Sequence, residues 1–250
     1  MIFEGPPNVC IRFASALSSD LAVSCFQAIL GVPDIAPSWN IKLGHLARVV
    51  RHVAGEPQRS LDALYWGLVP HYVKSGRQRN KIVTIAADRV TISRTTKIAF
   101  TQQRCLVPIT AFYELGDRPH ALKSTTCTML AVAAVWDSWQ HPTTGKPHHG
   151  FALITRPNLK TYDPVVQAPP FIIRPEHWDV WLDAKDTSAR KLLANPVDEP
   201  WHRWPISRRI LNANADGSFL LATFSNPQNA GVDASSVEAL EEVSRTEWVA

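Results

Sequence analysis

Short apolar runs rich in valine, isoleucine, phenylalanine and tryptophan alternate with polar turns along most of this 250-residue chain. Such runs are typical of buried or half-buried β-strands. We predict strands at residues 10–16, 46–53, 61–68, 105–115, 127–137 and 150–156, and a loop or short strand at 84–91.

Helical patterns are confined to short stretches. Ser19 and Asp20 can cap a helix over residues 21–30, which Gly31 and Pro33 would end. Further short helices are predicted at residues 95–103, 176–183 and 188–194. Because the helices are inserted among strands and do not alternate with them, the pattern favours an α+β fold with a mainly antiparallel sheet.

The chain carries no linker rich in proline, glycine or serine and no internal repeat, so one principal domain is expected. We assign residues 1–8 to an N-terminal extension, 9–225 to the domain and 226–250 to a tail. In the tail, Ser235 and Glu238 have the spacing of a capping box and predict a short terminal helix.

Composition narrows the cellular setting and the kind of partner. No apolar run is long enough to span a bilayer, and the N-terminus lacks a signal-peptide pattern, so we expect a cytoplasmic protein without a membrane partner.

The net charge of +4 suits a polyanionic partner. Cations and aromatic side chains follow one another at Tyr65, Trp66, Tyr72, Lys74, Arg77, Arg79 and Lys81. Charge alone would make this cluster a solvated loop, but aromatics beside cations favour single-stranded nucleic acid.

Four cysteines, Cys10, Cys25, Cys105 and Cys127, show no CxxC spacing. We therefore predict free thiols, no metal site and no cofactor. A hydrolase that uses Cys105 as its nucleophile is a weak alternative, because this cysteine lies in a strand pattern with no histidine placed to activate it.

An ordered set of short motifs carries the candidate chemistry. Each motif is weak alone, but their order is specific: Trp66-Gly67-Leu68-Val69-Pro70, Arg104-Cys105-Leu106-Val107-Pro108, Phe112-Tyr113-Glu114, Trp136 with Trp139, and Phe151-Ala152-Leu153-Ile154-Thr155. They place Glu114 at the end of an apolar strand, where a partly desolvated carboxyl can hold or take a proton. A purely structural interpretation makes Glu114 a strand-end carboxylate paired with Arg12 or Arg104.

This set resembles the SRAP family (SOS response-associated peptidase). The resemblance covers roughly residues 9–212 and includes four further segments: Val9-Cys10-Ile11-Arg12-Phe13, Trp39-Asn40-Ile41, Trp178-Asp179-Val180-Trp181-Leu182 and Pro205-Ile206-Ser207-Arg208. It implies a β-rich open barrel with flanking helices. It also implies a DNA-damage protein that attaches itself to abasic sites in single-stranded or gapped DNA, acts as a monomer and associates with the nucleoid when bound.

The resemblance implies a specific covalent chemistry for Cys10. In the family, this cysteine becomes the N-terminus, its α-amine condenses with the aldehyde of the abasic sugar, and its thiol closes a thiazolidine ring. An α-amine is partly unprotonated at neutral pH, unlike a lysine side chain, so it can attack. Family members move protons with a glutamate, an asparagine and a histidine, and Glu114 matches the glutamate. Autoproteolytic trimming of the N-terminus would follow from the same Cys10 and Glu114 pair.

Three positions depart from the family pattern. Cys10 follows nine residues and has no free amine unless translation begins at position 9, from a GTG codon read as Met, or residues 1–9 are removed. Thr84 stands at the family asparagine and Ala86 at a family arginine, which Arg89 could replace only if the loop is shifted. Val166 stands at the family histidine and cannot carry a proton.

Two hypotheses from different classes follow. In the first, the protein cross-links abasic sites through Cys10 with help from Glu114. In the second, it is a degenerate module that binds nucleic acid without chemistry. Both predict a DNA-binding surface formed by Arg12, Asn40, Trp66, Pro70, Lys74 and Arg77. The missing family histidine could be replaced by His71, His148, His149 or His177, although each has the pattern of a surface residue.

Overall fold

The computed structural model describes residues 12–31, 33–52, 56, 58–74, 81–115, 118–156 and 169–224. The strands in these ranges are β1 (Arg12–Ser15), β2 (Ala28–Leu30), β3 (Ser38–Lys42), β4 (Leu46–His52), β5 (Arg59–Trp66), β6 (Thr84–Ala86), β7 (Arg104–Ile109), β8 (Ala111–Glu114), β9 (His120–Ser124), β10 (Leu130–Gln140), β11 (Pro147–Thr155) and β12 (Trp201–Pro205). The α-helices are α1 (Ser19–Phe26), α2 (Ala87–Val90), α3 (Lys97–Gln102), α4 (Trp178–Leu182) and α5 (Ala189–Leu192), with 3-10 turns at Pro175–His177, Arg208–Leu211 and Ser218–Leu221. Within these residues, no helix has the length and apolar character needed to cross a membrane.

The strands form two sheets, and one of them closes into a barrel. The outer sheet has the order β12-β9-β8-β1-β3, and the larger sheet has the order β2-β5-β4-β7-β10-β11-β6. A parallel pairing of β5 with β11, at Tyr65 with Gly150 and at Trp66 with Phe151, closes the ring β5-β4-β7-β10-β11. The predicted β-rich, mainly antiparallel α+β fold is confirmed, and the five central strands form a closed ring.

Gly150 permits this closure. A Cβ atom added at Gly150 would lie 2.5 Å from the carbonyl oxygen of Gly67. No side chain fits at that distance, so the chain after β5 can approach β11 this closely only at a glycine.

Aromatic residues join the outer sheet to the barrel. Phe13 and Phe112 lie opposite each other on β1 and β8, and both are buried. The Phe13 ring meets the Trp66 ring at a centroid distance of 4.8 Å. These side chains share one core cluster with Phe151 of β11, so burial of apolar surface holds the two sheets together.

The predicted helix over residues 21–30 is wrong in its last part. Leu21 N–H donates to Ser18 Oγ at 3.3 Å, so Ser18 caps α1. The helix stops at Phe26 because Gln27 adopts a left-handed conformation with φ of 49°. Residues Ala28–Leu30 then pair with β5 as the parallel strand β2.

The predicted strand over residues 105–115 is two strands on different sheets. β7 lies in the barrel and β8 in the outer sheet, with Thr110 between them. Thr110 N–H donates to the Ala14 carbonyl at 2.8 Å, which anchors the crossing to β1. β3, β9 and β12 were not predicted as strands, because each has only five residues and pairing with neighbouring strands sets its structure. The N-terminal extension and the tail helix lie outside the described residues and stay predictions.

Candidate functional site

Glu114 ends β8 at the edge where β1 begins. Because β1 and β8 are antiparallel, the end of β8 and the start of β1, at Arg12, lie at the same edge of the outer sheet. Side chains alternate along a strand, so Glu114 shares the face of Phe112, which packs on the barrel. The strand therefore holds the Glu114 carboxyl at the junction of the two sheets.

The two oxygens of Glu114 have different surroundings. Arg203 Nε, on β12, donates to Oε2 at 2.8 Å. Oε1 is buried and has no hydrogen-bond partner among the residues that the structure describes. The side chain keeps 24% of its surface exposed. One oxygen is thus held in place, while the other is free to accept or deliver a proton.

Glu114 pairs with Arg203, which differs from the Arg12 or Arg104 partner suggested from the sequence. Of the two arginines considered from the sequence, Arg104 is buried and donates to the backbone carbonyls of Phe100 and Trp181 at 2.8 and 2.5 Å. Burial lowers its pKa, although nearby carboxylates oppose this shift. Arg104 therefore joins β7 to α3 and α4 and does not belong to the site.

Asn40 forms a structural clasp and is not available to DNA. It is 3% exposed, and its Oδ1 accepts from Arg12 Nη1 at 2.7 Å. Its Nδ2 donates to the carbonyls of Asn212 and Ala215 at 3.1 and 2.6 Å. The DNA contact predicted for Asn40 is corrected, because a buried amide committed to these bonds has no donor left for a phosphate or base.

Arg12 remains at the edge of the candidate site. Besides Asn40, it contacts the Leu211 carbonyl through Nη2 at 3.3 Å. Partial burial lowers the pKa of its guanidinium. The clasp orients the start of β1, two residues after Cys10, against the segment that follows β12.

Trp66 is a core residue, which corrects the base-stacking role predicted for it. Its ring is fully buried, and Nε1 donates to the Val83 carbonyl at 3.0 Å. Together with its contact to Phe13, this bond joins β1 to the segment that leads to Thr84. Pro70 is also buried, so the Trp66–Pro70 motif belongs to the interior of the fold.

Two exposed aromatic side chains, Tyr65 and Tyr72, are close to Trp66 in the sequence. Tyr65 is 39% exposed and stacks on His148, with ring centroids 4.8 Å apart and planes 13° from parallel. Tyr72 is 46% exposed, and Lys74 is exposed as well. Arg77 lies outside the described residues. These side chains, and not Trp66, present rings and charge to solvent.

Thr84 begins β6, the strand beside the end of β11. Its backbone pairs with Leu153, and Ala86 pairs with Thr155. Thr84 also lines an open cleft with a volume of about 600 Å³, together with Arg89. Cys10 and Val166 lie outside the described residues, so their predicted roles stay predictions.

Among the histidines, His71 has a carboxylate partner. Asp137 is 5% exposed, and its Oδ2 lies 2.9 Å from both Nδ1 and the backbone nitrogen of His71. The His71 side chain is 47% exposed. Burial, and then nearby Lys81, lowers the pKa of His148. Sequence reasoning missed Arg203 and Asp137 as partners, because no local pattern connects residues that meet only across the fold.

Comparison with known proteins shows which family has this sequence pattern. The family model for SOS response associated peptidase (SRAP) matches residues 9–213. Two Bacillus subtilis (strain 168) proteins are similar to the chain: "Abasic site processing protein YoqW" is 23% identical over 200 residues, covering 76% of this chain and 88% of that protein, and "Abasic site processing protein YoaM" is 24% identical over 194 residues, covering 72% and 82%.

Solved structures share the fold. A crystal structure of a Bacteroides thetaiotaomicron protein has a TM-score of 0.74 at 16% identity, covering 86% of this chain and 99% of that one. A Bordetella bronchiseptica protein has a TM-score of 0.65 at 15% identity, covering 79% and 100%. Because the family model covers most of its length, this chain belongs to the SOS response associated peptidase (SRAP) family.

Proposed function

We propose that this protein processes abasic sites in DNA by forming a covalent cross-link to single-stranded DNA through Cys10, with Glu114 as the proton-transfer group. The observation that carries the proposal is the split environment of Glu114, where Arg203 holds Oε2 and the buried Oε1 has no hydrogen-bond partner among the described residues. This carboxyl lies at the edge where β1 begins, two residues after Cys10. The names of the Bacillus relatives as abasic site processing proteins support the same substrate.

The proposed reaction needs a free amine at Cys10. The amine adds to the aldehyde carbon of the abasic sugar and gives a carbinolamine, whose hydroxyl leaves as water when Glu114 delivers a proton. The thiol of Cys10 then adds to the C=N bond, its proton passes to the nitrogen or returns through Glu114, and a thiazolidine ring closes. No oxidant or further reactant is required.

Removal of residues 1–9, or a translation start at position 9, would create this amine. The family match begins at residue 9, which supports a functional N-terminus at Cys10. Self-processing by Cys10 and Glu114, a hydrolysis that consumes one water, would connect the chemistry to the peptidase activity in the family name.

The DNA strand is proposed to lie along the exposed side chains near the barrel rim. Tyr65 and Tyr72 offer rings for stacking, and Lys74 offers charge for phosphate. Arg12 and Arg77 stay candidates for the same surface. Trp66, next to Tyr65 in the sequence, is held in the core by its bond to Val83.

A second function, binding without chemistry, is favoured by the side chains at two positions. Val166 cannot carry a proton, and Thr84 offers one hydroxyl where the family pattern has an amide. If Glu114 cannot support the reaction alone, the fold would act as a binding module for single-stranded DNA.

The experiment that separates these functions uses protein that begins at Cys10 after removal of an initiator Met. It is incubated with a single-stranded oligonucleotide carrying one abasic site and analysed on a denaturing gel. A heat-stable shifted band that is lost in Cys10→Ser, but kept in the matched control Cys127→Ser, supports cross-linking. Retained DNA binding without a band would instead establish the binding module.

The full-length chain is run beside it. Mass spectrometry of the purified protein shows whether residues 1–9 are removed. An intact N-terminus together with a cross-link would contradict the amine mechanism, because an internal Cys10 has no free α-amine.

A further inference from the structure

A basic cleft lies where β6 runs into α2. The cleft is lined by Thr84, Ile85 and Ala86 of β6 and by Arg89, Ile92, Ser93 and Arg94. The cleft is open to solvent and has a volume of about 600 Å³. This space accommodates a nucleotide-sized group and not only water.

The charges in this cleft are not neutralised within the described fold. Arg89 and Arg94 are both exposed, and in the described ranges neither forms an ion pair with a carboxylate. Asp88 is adjacent in sequence but does not line the cleft. A third guanidinium, that of Arg190, lies next to the cleft and donates to Thr91 Oγ1 at 3.4 Å. The cleft therefore attracts an anion, and nothing on its described walls repels one.

Hydroxyl and apolar groups complete the walls. Thr84 and Ser93 supply hydroxyls, and Ser93 Oγ lies 2.7 Å from Thr95 Oγ1. Ile92 leaves 58% of its side chain exposed at the rim. Two guanidiniums suit the oxygens of a phosphate, while an exposed apolar side chain suits the carbon face of a sugar. A phosphodiester presents both groups side by side.

Ala86 contributes by its small size. It lines the same cleft as Arg89, with only a methyl group as its side chain. Thr84 connects the cleft to the candidate reaction site, because the Val83 carbonyl before it accepts from Trp66, which packs on β1.

We propose that Arg89 and Arg94 bind a backbone phosphate of single-stranded DNA in this cleft. The inference rests on the proposed function for the identity of the strand, but the phosphate contact itself needs no abasic site and no chemistry. The phosphate contact comes from side chains on α2 and in the turn after it.

The test measures binding of undamaged, fluorescent oligothymidylate by anisotropy over a salt series. Arg89→Gln and Arg94→Gln should each weaken binding at low salt about three- to tenfold and lower the slope of log Kd against log salt by about 0.7 for each lost phosphate contact. Arg174→Gln, which removes an exposed arginine outside the cleft, serves as the matched control and should keep the wild-type slope. Thermal melting confirms that all variants are folded.

Three results would overturn the inference. They are a wild-type slope in both Arg89→Gln and Arg94→Gln, an equal loss in Arg174→Gln, and no binding of oligothymidylate by the wild-type protein. The cross-linking assay reports separately on the proposed function. A reduced slope without cross-links would keep the phosphate site and reject the chemistry, whereas cross-links with an unchanged slope would do the reverse.

Discussion

Arg203 Nε and Glu114 Oε2 are 2.8 Å apart, although the two residues are 89 positions apart in the chain. The pair crosses the outer sheet from β12 to β8, over the intervening strand β9. Arg203 fixes Oε2 of Glu114 through this bond, and the other oxygen, Oε1, lies buried at the junction of the outer sheet and the barrel. The candidate acid and base is thus oriented by a strand that was not predicted as a strand.

Replacement of Glu114 by glutamine tests its role in proton transfer. Glu114→Gln keeps the shape and should slow cross-linking by about 100-fold or more, with little change in DNA affinity. Stability should change little, because a partly exposed ion pair contributes about 0–1 kcal/mol. Single-turnover gels give the rate, and anisotropy gives the affinity.

Arg203→Gln is the matched variant for the same pair. It keeps the carboxylate and removes its anchor, so an intermediate rate is expected. A large loss of DNA affinity in Glu114→Gln, with an unchanged cross-linking rate, would show that Glu114 is structural.

Alanine variants of Trp66 and Tyr65 should separate an effect on stability from an effect on DNA binding. Trp66→Ala should lower the free energy of unfolding by about 3–5 kcal/mol, because it empties a buried site between the barrel and β1. Tyr65→Ala should weaken binding of single-stranded DNA by about 1–3 kcal/mol and leave stability nearly unchanged. Chemical denaturation and anisotropy measure the two effects.

Phe219→Ala is the control for Tyr65, since Phe219 is an exposed aromatic residue in the 3-10 turn Ser218–Leu221. Equal losses of affinity in the two variants would remove Tyr65 from the DNA surface. A Trp66→Ala protein of full stability would contradict the core position of the indole.

Stability should fall as the pH drops below the ordinary histidine range. Burial lowers the pKa of His52 below its ordinary value of 6.5, against opposing effects of Asp179 and Asp183, and its Nε2 has no described hydrogen-bond partner. The unfolded chain then binds a proton that the folded protein resists, so the contribution of His52 is present above pH 6.5 and is lost as the pH falls. His52→Gln should flatten the dependence of the unfolding free energy on pH between about 7 and 5. An unchanged slope would mean that other groups cause the dependence.

Cys105 should be unreactive in the folded protein. Its thiol is fully buried, and burial raises its pKa, so almost no thiolate forms. A maleimide should label the partly exposed Cys25 and Cys127 in the native protein but reach Cys105 only after unfolding. Cys105→Ala should retain any cross-linking. Rapid native labelling of Cys105 would revive the hydrolase alternative.

Much of the barrel could be predicted from local sequence. Residues 46–53 and 150–156 were predicted as strands and are found as Leu46–His52 and Pro147–Thr155. These runs are rich in branched and aromatic residues, and burial on both sides of a barrel strand favours such residues in any order. The order of the motifs also indicates Glu114 as a candidate proton-transfer residue.

The tertiary structure decided which faces and partners these residues have. Trp66 and Asn40 have the residue types of a DNA surface, but they are buried by β1 and by the segment after β12. Residues 28–30 have the pattern of a helix end, yet they pair with β5. In each case the deciding contact joins residues far apart in the chain, which a local pattern cannot report.

The sequence by itself determined the family, the strand-rich class and the carboxylate at the end of Phe112-Tyr113-Glu114, because residue types and their order encode burial and turn chemistry. Only the tertiary structure decided that Arg203 anchors that carboxylate, that Asn40 clasps Arg12, and that Arg89 and Arg94 share one cleft. The physical reason is that exposure, charge pairing and hydrogen-bond partners depend on strand pairing over long separations, and these properties define a site more than the identity of any one residue.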